Sequence, residues 1–169
     1  FMCSVRLFLL QLSVLVLSAS SCRAQNKDSL GWLEKVRISP PEIIVTAKLD
    51  TGADSSSLNA SELREFERDG RKWVSFEVSD RNGIRTLIER PLLRTAMVKK
   101  RFGRPETRPV IRLGVCAGRR FMEADVNLVD RTNFESQMLL GRSFMAGNVT
   151  VDPAVTYTAD PQCPKSSAH

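Results

Sequence analysis

The chain has 169 residues, of which 42% are hydrophobic and 26% charged, and a formal net charge of +6. That length fits one hydrophobic core, and that balance is ordinary for a globular protein and excludes disorder across the body of the chain. The basic residues are dispersed rather than set in an aromatic-interleaved stripe, so no nucleic-acid partner is expected.

Residues 2–24 read MCSVRLFLLQLSVLVLSASSCRA: one Arg near the start, an apolar run from Leu7 to Leu17, then small residues. This is the build of a secretory signal, and it is short for a membrane span of about 20 apolar residues. Residues 1–24 are therefore expected to be a signal peptide removed after Ala24, and the rest to be secreted or periplasmic. Cys22, following Ala19-Ser20-Ser21, offers a second outcome, a lipoprotein anchored to the membrane through that cysteine. Arg6 and Arg23 lie in this segment, so the remainder carries +4.

Residues 25–40 read as an N-terminal extension and first strand, with Gln25 to Ser29 polar and loose. WLEKVRI (32–38) and EIIVTAKL (42–49) are expected as two strands on either side of Pro40-Pro41, and the second runs directly into Asp50-Thr51-Gly52. SELREFER (61–68) has Leu63 and Phe66 at helical spacing, Ser61 as a cap and Asp69-Gly70 as a stop, which predicts a short helix. Lys72–Ser79 and Ile84–Arg90 flank Asp80-Arg81-Asn82-Gly83, and an Asn-Gly between two strand-like runs is a hairpin signal. Residues 98–109, VKKRFGRPETRP, are expected as a loop, with Lys99-Lys100-Arg101 a solvated charge run. PVIRLGVCAG and RRFMEADVNLVD suggest another hairpin turning near Ala117-Gly118. QMLLGRSFMAGNVTVDP gives a strand, a glycine turn, a short helix and a closing strand. Trp32 and Trp73 read as packing residues. The fold class is thus mostly β, a closed barrel with one or two short helices.

Of four cysteines, Cys3 and Cys22 belong to the leader, and Cys116 and Cys163 remain. An oxidising compartment permits their pairing, but sequence does not give their distance, and the question stays open. A Cys nucleophile is not expected, because the one histidine, His169, is the last residue.

The chemistry concentrates at Asp50. An apolar strand ending in Asp-Thr-Gly presents a carboxylate on a tight turn: Gly52 tolerates backbone angles other residues resist and admits a second backbone close by, and Thr51 has a hydroxyl that could hold the turn. LDTGAD (49–54) and LLGRSF (139–144) together resemble the two signatures of retropepsin-type aspartic peptidases. The similarity is closer to a bacterial group labelled ATP-dependent zinc proteases, in which AKLDTGADSSSLNA, VSFEV, ETRPVI, NLVDR and MLLGRSF occur in this order; it spans about Val45 to Asp152.

The resemblance implies a retropepsin-like closed β-barrel (acid protease fold), with a peptidase domain over residues 41–155 and a C-terminal tail over 156–169. It implies an aspartic endopeptidase acting on a peptide or protein substrate. The zinc and ATP of the group's label have no counterpart here: HExxH is missing, as is the Gly-rich Lys-Ser/Thr phosphate loop, so neither metal nor cofactor is expected. Aspartic peptidases use two carboxylates that share a proton and activate water, yet the chain holds one Asp-Thr-Gly. A two-fold homodimer would supply the second Asp50. Asp50, Thr51 and Gly52 are then catalytic, and Ala53, Asp54, Gly141 and Arg142 line or buttress the cleft, with Asp54 and Arg142 as an internal ion pair behind the turn. Ala53 stands where pepsin-like enzymes have Ser or Thr, which implies a less acidic optimum. By chain order, the hairpin tip at Asn82 and Gly83 is the candidate flap. Residues 91–135 are extra relative to viral retropepsins. The alternative is a non-catalytic module of the same fold that binds a peptide or an envelope protein.

Overall fold

A computed structural model describes residues 27–98 and 104–164. The expectations for the leader at 1–24, for Cys22, for Lys99-Lys100-Arg101 and for His169 lie outside these residues.

Strand β1 (Asp28–Ser39) and strand β2 (Ile43–Leu49) form the expected hairpin around Pro40-Pro41, with Val36 opposite Val45. Alternation decides which side faces the core: Val36, Ile38, Val45, Ala47 and Leu49 are buried, while Lys48 points outward. β1 begins earlier than the polar composition of 25–29 suggests. Asp28 is nearly buried, its carboxylate 3.4 Å from the Arg119 and Arg120 guanidinium groups, and its N–H donates to the Asn148 carbonyl.

The remaining elements are β3 (Ser56–Asn59), β4 (Ser61–Arg68), β5 (Arg71–Ser79), β6 (Arg85–Pro91), β7 (Arg94–Val98), β8 (Glu106–Ala117), β9 (Arg120–Val129), β10 (Met138–Leu140), helix α1 (Arg142–Met145) and β11 (Val149–Thr156). Six strands pair around a ring in the order β1-β2-β10-β3-β9-β8, and β8 returns to β1 through Val36 opposite Ala117 and Ser39 opposite Gly114. The fold is therefore a closed, mostly β barrel, as expected. Closure leaves these six strands without a free edge. β11 extends β1 in parallel and β7 extends β8. Val36, Ile38, Leu58, Ile111, Leu113, Val126, Leu128, Met138 and Leu140 fill the interior.

A second, three-stranded sheet, β4-β5-β6, packs Val74, Phe76, Val78 and Ile88 into the same core. Here the helix expected at 61–68 is a strand. Asp69 and Gly70 both have positive φ, 52° and 69°, the requirement of a two-residue hairpin turn matched to strand twist. β4 is thereby folded back on β5, Phe66 meets Trp73 across the pair at 6.4 Å, and the Arg68 guanidinium lies over both rings. The three-residue spacing of Leu63 and Phe66 is outweighed by this pairing. Similarly, β8 starts at Glu106, inside the segment expected as loop, because residues 106–110 find partners in β7.

After β11 the chain crosses β1 as a strap. Cys116 and Cys163 are joined by a disulfide with Cα atoms 5.9 Å apart, which closes the question of their pairing. Arg37 donates to the carbonyls of Pro161, Cys163 and Pro164, and Gln162 N–H donates to the Gly118 carbonyl at 2.7 Å. The wholly buried Glu34 carboxylate accepts the Gly31 N–H at 2.7 Å, the Thr158 N–H at 2.9 Å and the Thr158 hydroxyl, so β1 and the strap share one acceptor.

Candidate active site

β10 lies between β2 and β3, parallel to the first and antiparallel to the second. The chain leaving β2 must therefore loop around the end of β10 to reach β3, and that loop is Asp50 to Ser55. Its entry is fixed by the Asp50 N–H donating to the Leu140 carbonyl at 2.9 Å, and its tight turn by the Ala53 N–H donating to the Asp50 carbonyl at 3.2 Å. Gly52 N–H donates to Asp50 Oδ1 at 2.9 Å. A Cβ on Gly52 would stand 3.1 Å from that oxygen. Gly52 is not among the glycines with positive φ, so glycine serves here by giving room to the carboxylate rather than by adopting an unusual angle.

The second signature closes on the turn from behind. Arg142 N–H and Ser143 N–H donate to the carbonyls of Ala53 and Asp54 at 2.9 and 3.0 Å. Gly141 passes so close that a Cβ would meet the Ser55 carbonyl oxygen at 2.6 Å, and its N–H donates to Ser56 Oγ. The Arg142 side chain spans the turn: Nη1 donates to the Thr51 and Gly52 carbonyls at 3.1 and 2.9 Å, and Nη2 to Asp54 Oδ1 at 3.1 Å. The Asp54–Arg142 pair thus forms, but on the surface rather than internally, with the Asp54 side chain 87% exposed. Among the described residues the Thr51 hydroxyl makes no hydrogen bond; Arg142 holds the Thr51 carbonyl instead.

Asp50 opens onto a cleft of about 270 Å³ whose walls include Trp32, Leu33, Lys48, Arg131, Phe134 and Leu139. Burial pushes the Asp50 carboxyl up, but the Gly52 N–H, the Lys48 ammonium and the Ala53 N–H together outweigh it and hold the group below its ordinary value. Lys48 Nζ is 3.4 Å from Asp50 Oδ2. Arg131 is buried and rigidly seated: Nη1 donates to Ser57 Oγ at 3.2 Å, Nε to the Ser136 carbonyl at 3.3 Å, and the guanidinium lies 4.4 Å from the Phe134 ring centre. Neither cation was singled out by the sequence reading. Lys48 is two residues from Asp50 on the outward face of β2, a placement strand alternation predicts. Arg131 lies within NLVDR, but nothing local to that segment points it toward residue 50. Trp32, expected to pack, lines the cleft.

The structure does not bring Asn82 and Gly83 to this site. Arg81 N–H donates to the Ile44 carbonyl, at the start of β2, whereas Asp50 follows its end; six residues of strand, roughly 20 Å, separate them. The flap expectation at that tip is corrected accordingly: the Asn-Gly turn closes the opposite end of the barrel. On the other side of the Asp50 turn a hollow of about 450 Å³ is bordered by Thr51, Arg142, Met145, Val149 and Val151.

A family model described as RimB-like, "Retropepsin-like aspartic endopeptidase RimB", matches residues 29–162. Curated relatives include proteins named "Probable alpha-L-glutamate ligase" from Desulfotalea psychrophila, 36% identical over 114 residues (66% of this chain, 25% of that protein), and from Parasynechococcus marenigrum, 38% identical over 112 residues (64% and 24%). The chain thus spans about a quarter of the length of these relatives. Among solved structures, a Legionella pneumophila protein described as of unknown function (DUF785) is 31% identical with a TM-score of 0.68, covering 79% of this chain and 98% of that one. The fold, the turn that carries Asp50 and a family match running from β1 to the strap agree: the chain belongs to the RimB-like family of retropepsin-like aspartic endopeptidases.

Proposed function

We propose that the protein is an exported aspartic endopeptidase that acts as a homodimer, each chain contributing Asp50. The observation that carries this reading is the Asp50 carboxylate at the mouth of a cleft, on a turn held by Gly141 and Arg142 from a segment 90 residues away. Such rigidity is what a positioned acid–base group requires.

In the dimer the two carboxylates share one proton, because two like charges in contact cannot both stay ionised. The ionised member takes a proton from a water lying between them, and that water's oxygen bonds to the scissile carbonyl carbon. The protonated member gives its proton to the carbonyl oxygen, so a neutral gem-diol forms. Collapse returns one hydroxyl proton to a carboxylate, the C–N bond breaks, and the leaving nitrogen takes the proton gained from water. The hollow beside Thr51, with Met145, Val149 and Val151 on its border, is a suitable seat for the second copy.

Two cations in the cleft, Lys48 and Arg131, suit a substrate with carboxylates near the cleaved bond. The names of the longer relatives point the same way, since they refer to ligation of glutamate. The proposed substrate is therefore an acidic, glutamate-containing peptide or protein tail.

The test is cleavage of acidic and neutral peptides by the wild type and by Asp50→Asn, with and without a chelator. Products that vanish in Asp50→Asn and persist with chelator are expected. Undiminished cleavage by Asp50→Asn would overturn the reading, and sedimentation of the same samples tests the dimer.

A further inference from the structure

In the isolated chain both oxygens of the Asp50 carboxylate are occupied. Gly52 N–H holds Oδ1 at 2.9 Å, and the Lys48 ammonium stands 3.4 Å from Oδ2. The Gly52 contact belongs to the turn backbone and stays with it. A carboxylate oxygen has two lone pairs, so Oδ1, which accepts one N–H, keeps an acceptor site for the partner with which the proton is shared, and Oδ2 is left to Lys48.

The two cations of the cleft differ in what holds them. Arg131 is fixed by Ser57, Ser136 and the Phe134 ring. The Lys48 side chain is 46% exposed on the outward face of β2, on a flexible four-carbon stem. We propose that Lys48 is a positioning residue: it orients the Asp50 carboxylate by holding Oδ2, which leaves Oδ1 to face the second carboxylate. Its catalytic consequence rests on the dyad reading above, but the contact is a property of one chain.

The charged groups around Asp50 are few. β2 presents Lys48; the segment after β9 presents Arg131 and Glu135; α1 presents Arg142, which is turned to the Thr51 and Gly52 carbonyls and to Asp54. β1 and β10 present Trp32, Leu33 and Leu139, none of which titrates. Among the described residues only Lys48 forms an ion pair with the Asp50 carboxylate. The depression of the Asp50 carboxyl below its ordinary value, in which Lys48 takes part, is in keeping with this arrangement.

The experiment is a carbon-detected NMR titration of the Asp50 carboxyl in the wild type, Lys48→Met and Lys48→Arg, at a series of protein concentrations followed by sedimentation. In dilute samples the wild-type carboxyl should titrate at lower pH than in Lys48→Met, and Lys48→Arg should bring it back down. In samples that dimerise, the same order of the three titrations should persist, because the ammonium keeps Oδ2. Coincident titrations of wild type and Lys48→Met at every concentration would overturn the proposal. The pH profile of kcat/KM supplies a second readout: the acid limb should move upward in Lys48→Met, whereas a merely structural role would lower activity equally at all pH. If Asp50→Asn retains activity, the dyad reading fails while the NMR titration still decides the role of Lys48.

Discussion

One guanidinium, that of Arg142, grips the Asp50 turn at three points: the carbonyls of Thr51 and Gly52 through Nη1 and the Asp54 carboxylate through Nη2, at 2.9 to 3.1 Å. Its ion pair with Asp54 is exposed, and such pairs contribute less than about 1 kcal/mol. Its value is geometric, since a planar fork can reach both carbonyls and a carboxylate where an ammonium cannot. Arg142→Lys should therefore leave thermal stability nearly unchanged while lowering kcat/KM by roughly tenfold or more, as misplacement of a reacting group does. Asp54→Asn should be milder, because the two carbonyl contacts survive. Peptide cleavage beside thermal melting checks both.

Gly141 offers a sharper steric test. A methyl group there would meet backbone atoms, the Ser55 and Asp54 carbonyl oxygens at 2.6 and 2.8 Å, and backbone yields less easily than the end of a side chain. Gly141→Ala is expected to destabilise the fold by about 1–3 kcal/mol, the usual range for overpacking, and to displace the Asp50 turn. Urea unfolding gives the first number and activity the second.

The strap depends on its covalent tie. The Cys116–Cys163 bond closes a loop with a sequence separation of 47, for which chain-entropy reasoning gives about 4 kcal/mol as a ceiling. Cys163→Ser should lower stability toward that figure, and reductant should destabilise the wild type but not the variant. Denaturant titrations with and without reductant would show it.

Glu34 is the other fastening of the strap. Replacing it with Leu would leave the Thr158 N–H without its acceptor and the Gly31 N–H with Thr158 Oγ1 alone, at 3.2 Å, costing about 1–3 kcal/mol for an unsatisfied group. Glu34→Leu should thus unfold at clearly lower denaturant, and its effect should not simply add to that of Cys163→Ser, because both act on the same segment. A double-mutant cycle measures the coupling.

Asp50 makes a prediction for pH. Its carboxyl lies below the ordinary value, so the folded chain binds that proton less readily than the unfolded one. The resulting stabilisation is fully present above the unfolded pKa of about 4 and is lost as pH falls through the lowered folded value. The stability gap between wild type and Asp50→Asn should accordingly be wider near neutrality than in strong acid. Denaturant unfolding at both pH values decides the sign.

Much of this architecture follows from local patterns. The β1–β2, β5–β6 and β8–β9 hairpins are legible in alternation and turn residues, as is the strand, glycine and short helix from Met138 to Met145, because each depends on contacts between near neighbours in the chain. Asp50 and its partners Gly141 and Arg142 are legible too, through their two signatures. What sequence could not give is every outcome that depends on distant pairing. SELREFER carries a helical spacing, and only the turn at Asp69-Gly70 with Trp73 as a cross-strand partner makes it β4. An Asn-Gly turn announces a hairpin but not which end of the barrel its tip will close. Barrel closure by β8 on β1, the approach of Cys116 to Cys163 and the meeting of Lys48 and Arg131 around one carboxylate are likewise long-range. Local propensity sets the elements and alternation puts Lys48 beside Asp50, whereas the burial of one shared core sets the register, and only that register brings Arg131 to the same carboxylate.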